Sequence, residues 1–209
     1  MKARDFWNKV AKDYDASMRA RYARAYERTI AITKEYVKKE DRVLDYACGT
    51  GIVTNEIAPL VQSVMAIDIS EEMVALARKK TADRRLENIT YLVTGLNDPR
   101  VAGGRYTTIT AFNVMYFIED LDGLLKTFHE MLPAGGFFLS VTDCPGESRS
   151  LKIRGMAILS KLGLLPYFRS LTTAQLTGKI EKAGFDLVRV ENLHPDPPNV
   201  YVAARKPGN

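Results

Sequence analysis

Asp45, Gly49 and Gly51 stand together in the run VLDYACGTGIVTNEIA, Val43 to Ala58, an acid followed by two glycines at the end of an apolar stretch. A glycine-rich turn between a strand and a helix brings backbone N–H groups close to a ligand, and the neighbouring residues decide which ligand. A dinucleotide turn wants a third glycine three residues after the second, and Thr54 occupies that place. Asp45 would also set a negative charge beside a pyrophosphate in a low-dielectric pocket. A ligand with a sulfonium and an ammonium and no phosphate, such as S-adenosylmethionine, gains from the same carboxylate. NAD is therefore disfavoured.

Asp68 ends the run VMAID, 68 − 49 = 19 residues beyond Gly49. An acid there can accept both hydroxyl hydrogens of a ribose, a feature that sites for either ligand share. Its other reading is a cap for the helix that starts near Ser70, although Ser70 is itself a suitable N-cap.

The elements that must position these residues follow from periodicity. Helices are expected near 4–17 and 20–38, then strand 42–46, helix 51–59, strand 63–68, helix 71–81, strands 89–93 and 106–112, helix 119–131 and strand 136–142. In LLKTFHEML the residues Leu124, Leu125, Phe128 and Met131 fall on one helical face. This alternation implies an α/β fold, a parallel sheet with helices on both faces, whose ligand site lies outside the carboxyl ends of the strands. An amphipathic stretch at 146–169 follows, then a helix opening at LTTAQL and the strands FDLVRVE and NVYVAAR.

The chain has 209 residues, 46% hydrophobic and 26% charged, which suits one domain spanning 1–209. Cys48 and Cys144 form no CxxC pair or metal-ligand set. They would leave two strands that flank a third, about 10 Å apart and too far for a disulfide. A reducing, cytoplasmic setting is the default. The N-terminus carries charges throughout and has neither a secretory core nor a membrane span. Net charge is +5, and Arg19, Arg21, Arg24 and Arg28 interleave with Tyr22 and Tyr26. The stripe reads as the solvated basic face of a helix, with nucleic-acid contact as the alternative.

The runs VLDYACGTG, AIDISEEMVALARKK, MLPAGGFFLS and LTTAQLTGKIEKAGFDLVRVE resemble successive signatures of the class I S-adenosylmethionine-dependent methyltransferases, in particular the small single-domain (type 11-like) group. FWNKVAKDYD is similar to that group's N-terminal helix. The resemblance covers about Trp7 to Pro207 and implies a Rossmann-like sheet of seven strands, the last antiparallel. It implies S-adenosyl-L-methionine as cofactor, with Asp45, Ala47 and Gly49 around its methionine part, Asp68 on the ribose, Ile69 and Met73 on the adenine, and Gly51 also among the cofactor-binding residues. Tyr14 would close over it from helices within 1–40. The group's adenine-contacting Asp is replaced here by Leu96, with Asn97 following, so that contact is expected to shift.

Methyl transfer from a sulfonium needs alignment and exclusion of water more than a catalytic triad. An acidic nucleophile still gains from a nearby base. Strand exits offer Asn113 and Tyr116 after the fourth strand, Asn113 also beside the cofactor, and Asp143 and Cys144 after the fifth. Tyr116 is either catalytic or a pocket wall. His129 and His194 are expected to be structural or solvated. The segment 146–170 could form a lid, with Leu151, Met156, Leu159, Leu162 and Leu165 inward and Lys152, Arg154 and Lys161 keeping it wettable. A small, partly hydrophobic acceptor follows from the lid. RNA or protein methylation, and a cofactor-binding accessory protein without turnover, are the alternatives.

Overall fold

The computed structural model describes residues 2–208, apart from the side chains of Lys152, Arg154, Ala157 and Lys161. Three of the four are the cations expected to wet the covering segment, so their placement lies outside the described residues.

Seven strands form one sheet: β1 (Arg42–Tyr46), β2 (Ser63–Asp68), β3 (Ile89–Val93), β4 (Thr108–Phe112), β5 (Phe137–Asp143), β6 (Asp186–Pro195) and β7 (Pro198–Arg205), in the order β3-β2-β1-β4-β5-β7-β6. The first five are mutually parallel, and β7 runs antiparallel to both neighbours. The central strands are apolar on both faces because both faces are covered. Leu44, Ile109 and Phe138 bury against α5 (Leu121–Met131) and α7 (Thr173–Lys182). Their neighbours Val43 and Leu139 bury on the opposite side, against α1 (Ala3–Tyr36) and α3 (Glu71–Asp83). The core is thus two layers divided by the sheet.

Local signals set the helix limits. Asp120 caps α5, its carboxylate accepting from Gly123 N at 2.9 Å, and Leu121, Leu124, Leu125 and Phe128 turn inward. A capping box of Thr172 and Gln175 opens α7. The expected helix at 51–59 shrinks to one turn, α2 (Thr54–Ile57), followed by a 3-10 turn at 58–60. Gly51, at φ +72°, spends the first residues of that segment on the turn, and Pro59 ends it. A short α4 (Pro99–Ala102), capped by Asp98, was not apparent from periodicity, for it is one turn long.

The two N-terminal helices expected from the sequence are one element, α1, interrupted at Tyr22, whose φ of −126° and ψ of 20° are not helical. The part after the break packs Ile32 into the core. The part before it lies over the ends of β1, β2 and β4, because its Asn8 and Asp15 are fastened there. Ser70 donates to Asn8 Oδ1 at 2.7 Å, Thr50 donates to Asp15 Oδ1 at 2.5 Å, and Lys80 pairs with Asp15. The chain adds β2 and β3 on one side of β1, then crosses to β4 and β5 on the other. The carboxyl ends of β1 and β4 therefore frame the crevice where such sheets bind ligands.

Candidate active site

After Tyr46 the backbone turns through Ala47 (φ +56°), Gly49 (φ +54°) and Gly51 (φ +72°), and Cys48 N donates to Ile67 O at 3.0 Å. An L-residue in this region is strained, and Ala47 is held there by its surroundings. A Cβ built on Gly49 would meet no heavy atom within 4 Å, and the same holds at Gly95 across the cleft. The backbone is thus bare where a ligand would approach.

Asp45 is buried beneath this turn, with Oδ2 accepting from Thr54 Oγ1 at 2.5 Å and Oδ1 from Thr110 Oγ1 at 2.7 Å. Burial pushes its carboxyl up to about 6, and the two hydroxyls hold it from rising further. Asp68 accepts from Gly49 N at 2.9 Å and from Ser70 N at 2.8 Å. Burial raises its pKa, and those two N–H groups oppose the rise. Ser70, not Asp68, caps α3 by accepting from Met73 N at 3.2 Å. Asp68 instead ties the glycine turn to the end of β2, and each of its oxygens retains a lone pair. Two carboxylates with bare backbone between them suit a cationic nucleoside and not a pyrophosphate.

The cleft over these residues is lined by Ala47, Gly49, Asp68, Ile69, Met73 and Asn113, with Trp7 and Tyr14 closing it from α1. Asp45 lines a smaller pocket that shares Tyr14, Ala47 and Gly49 with the cleft. From the loop after β3, Thr94 and Gly95 face the cleft, while Leu96 and Asn97 do not line it, and Leu96 packs against the core. Gly51 lies outside it as well, on a groove with Asn55 and Lys80. Its role in the turn is close packing, since a Cβ there would sit 2.7 Å from Asn55 Nδ2 and 3.0 Å from Tyr91 Oη. Gly51→Ala is accordingly expected to cost about 2–4 kcal/mol, the sum of a left-handed alanine and overpacking. Urea unfolding reads this directly, and an unchanged midpoint would remove the packing role.

A second chamber opens beside the first and shares Trp7, Tyr14, Asn113 and Phe117 with it. Its walls are Tyr22, Tyr116 and Phe168, with Met156 and Leu165 from the covering segment. Tyr116 lines this chamber and not the cleft. Its ring centroid lies 4.2 Å from Phe117 and 5.7 Å from Phe168, and burial holds its phenol well above the ordinary value, so it keeps its proton. Asn113, at φ +56°, joins both chambers, and its amide is committed to Tyr26 Oη (3.4 Å) and to Asn199, whose Nδ2 donates to Asn113 Oδ1 at 2.9 Å.

The covering segment forms α6 (Leu151–Lys161) and a following loop. Of the five residues expected to face inward, Met156 and Leu165 do. Leu151 is 81% and Leu162 67% exposed, Leu159 is exposed too, and Ile153 is buried against the chamber instead. Because α6 carries apolar residues around most of its circumference, their spacing does not define which side meets the core.

The basic stripe of α1 divides between solvent and structure. Arg28 pairs with Glu191 at 2.7 Å and the Arg21 guanidinium lies 5.4 Å from the Tyr22 ring centroid, while Tyr14 and Tyr26 hydroxyls meet at 3.2 Å inside. His129 packs edge-on against Phe185, and His194 lies 4.9 Å from the Tyr22 ring. Both cysteines are free, with thiols pushed up by burial. Among the described residues no group of three His, Cys, Asp or Glu could hold a metal, and no helix is long and apolar enough to cross a membrane. Sequence reasoning missed Asn8 and Asp15, which fasten α1, and Asn199. It also missed Trp7, although its place two turns before Tyr14 on the same helix face was a signal that could have found it.

Residues 14–190 match a family model described as a methyltransferase domain, and the chain belongs to the class I methyltransferases. It is 25% identical over 161 residues to a ubiquinone biosynthesis O-methyltransferase of Acinetobacter baumannii, covering 75% of this chain and 68% of that protein. The fold is shared with a chain of the complex between the Haloferax volcanii Trm112 methyltransferase activator and the putative methyltransferase. There the TM-score is 0.75 at 15% identity, over 99% of this chain and 100% of that one. It is shared also with Haemonchus contortus phosphoethanolamine N-methyltransferase 2 in complex with phosphomonomethylethanolamine and S-adenosylhomocysteine. That likeness has a TM-score of 0.70 at 19% identity, covering 87% of this chain and 53% of that one.

Proposed function

We propose that this protein transfers a methyl group from S-adenosyl-L-methionine to a small, partly hydrophobic acceptor. The observation that carries the reading is the meeting of two chambers at Trp7, Tyr14, Asn113 and Phe117. One holds the carboxylates and bare glycine backbone that fit a cationic nucleoside, and the other is aromatic and apolar. In this reading Asp68 accepts the ribose hydroxyls, Ile69 and Met73 flank the adenine, and Asp45, Ala47 and Gly49 surround the methionine end. The cofactor supplies an electrophilic methyl on a sulfonium. The chain binds both partners, aligns them at the junction and keeps water out.

Asn113 fixes the junction through its two amide contacts, and Tyr116 offers a neutral hydroxyl to the acceptor chamber. A concave, aromatic chamber of this kind, partly covered by α6 and the loop after it, favours a small molecule over an RNA strand or a folded protein. Met156 and Leu165 cover it, which supports the lid role of 146–170.

Calorimetric titration tests the cofactor. Saturable, one-site heat is expected with S-adenosylmethionine and none with NAD. Binding of NAD without a response to S-adenosylmethionine would overturn the proposal.

A further inference from the structure

The polar corner of the acceptor chamber has no part yet. Asp143, at the end of β5, is the only carboxylate among the chamber's described lining residues, and it is half-buried. Its Oδ1 accepts from Asn199 Nδ2 at 2.8 Å and its Oδ2 from Tyr22 Oη at 3.3 Å. Tyr22 stands at the break in α1. The same Asn199 amide nitrogen donates to Asn113 Oδ1 at 2.9 Å, so one side chain couples Asp143 to the junction of the chambers.

We infer that Asp143 is the proton acceptor for methyl transfer to a neutral aromatic hydroxyl bound in this chamber, with Tyr22 and Asn199 as its positioning residues. The inference rests on the methyltransferase reading above. The acceptor's O–H bond breaks and its proton passes to Asp143 Oδ2, while the oxygen's electron pair forms the new bond to the methyl carbon and the sulfur keeps the C–S pair. Oδ2 carries one long hydrogen bond and retains lone-pair capacity for this proton. The other groups around the chamber are less able to take the proton, by protonation or by position. Tyr22 and Tyr116 are raised by burial and keep their protons. His194, facing from β6, lines neither chamber, and its Nδ1 lies 3.1 Å from Pro197 O. Burial lifts Asp143 above the ordinary carboxylate value, against its bonds to Asn199 and Tyr22 and the nearby His194 and Arg21, which makes it a better base.

The test uses 4-nitrophenol, whose phenolate is coloured, added to protein saturated with S-adenosylhomocysteine. Beside an anionic Asp143 the bound probe should ionise about one pH unit or more higher than it does in the Asp143→Asn variant. In the same proteins, transfer from labelled S-adenosylmethionine to unsubstituted phenol should fall about 10²-fold in Asp143→Asn. Transfer to 4-nitrophenol, assayed at a pH above the ionisation of the bound probe in both proteins so that no proton has to be removed, should fall much less. Tyr22→Phe should give a smaller change in both readouts. Calorimetry with S-adenosylhomocysteine separates the levels of failure. A wild-type chain that binds no S-adenosylhomocysteine sinks the function proposed above. Normal binding by both forms, with the same probe ionisation or an equal loss for both phenols, overturns the role of Asp143 alone. Absence of probe binding to a chain that binds S-adenosylhomocysteine overturns it as well.

Discussion

Asp68→Ala is expected to weaken S-adenosylmethionine binding by about 10²–10⁴-fold. Two charge-assisted hydrogen bonds to the ribose are worth roughly 1.5–3 kcal/mol each, and both vanish with the carboxylate. The structure adds a second route to the same loss, because Asp68 also holds Gly49 N at 2.9 Å and Ser70 N at 2.8 Å. Without it the turn that presents Gly49 loses its tie to β2. Asp68→Asn separates the two contributions. An asparagine keeps one carbonyl oxygen for a backbone N–H but loses the charge, so it should restore more of the thermal stability than of the affinity. The fold itself should survive in both variants, since Ser70 caps α3 independently. Calorimetry and thermal melting on the same samples check this. A variant that melts far lower yet binds the cofactor normally would make Asp68 a structural tie alone.

How much of this was legible in the sequence depends on the range of the physics involved. Strand order along the chain, the buried face of α5 and a helix opening at LTTAQL follow from neighbours within four residues, and these were read correctly, although the capping box of Thr172 and Gln175 that opens it was not singled out. The glycine turn and the acid ending β2 were legible because a fixed spacing within one strand–turn–helix–strand unit carries them. The break in α1 was misplaced by a few residues, for Tyr22 has no helix-breaking type, and its geometry answers to contacts elsewhere. The inward side of α6 was misread because Leu151 and Leu162 are as apolar as Ile153 and Met156, and only the packed chamber distinguishes them. The Asp143 corner was invisible as a unit. Tyr22 is 121 residues from Asp143 and Asn199 is 56, so nothing in local pattern joins them. Long-range sheet pairing does, by setting Asn199 opposite Asp143 on β7 and β5.

Asp45 should make the affinity for S-adenosylhomocysteine depend on pH in a range where most carboxylates are silent. Its carboxyl stands near 6 in the free protein, raised from 3.8 chiefly by burial. A folded-state value above the unfolded one means the folded chain holds this proton more tightly, so ionising Asp45 costs stability. That cost is absent below about 4, grows as pH rises and is complete above about 6, and the ligand-free protein gains stability from this group on acidification across the window. Binding has the opposite sign. An ammonium placed beside Asp45 needs the ionised carboxylate, so affinity should be flat above about pH 6 and fall roughly tenfold per unit below it. Adenosine supplies the control, because it shares the adenine and ribose but has no ammonium. Its profile absorbs any contribution from Asp68, whose pKa is also raised. The difference between the two ligands then belongs to the methionine end of the site. Asp45→Asn should flatten that difference and lower S-adenosylhomocysteine affinity at neutral pH; one of Thr54 and Thr110 keeps its acceptor in the amide oxygen, and the other must turn its hydroxyl to accept from the amide N–H. Parallel profiles for the two ligands, measured by calorimetry between about pH 5 and 8, would mean that Asp45 holds the turn together without touching the ligand's charge.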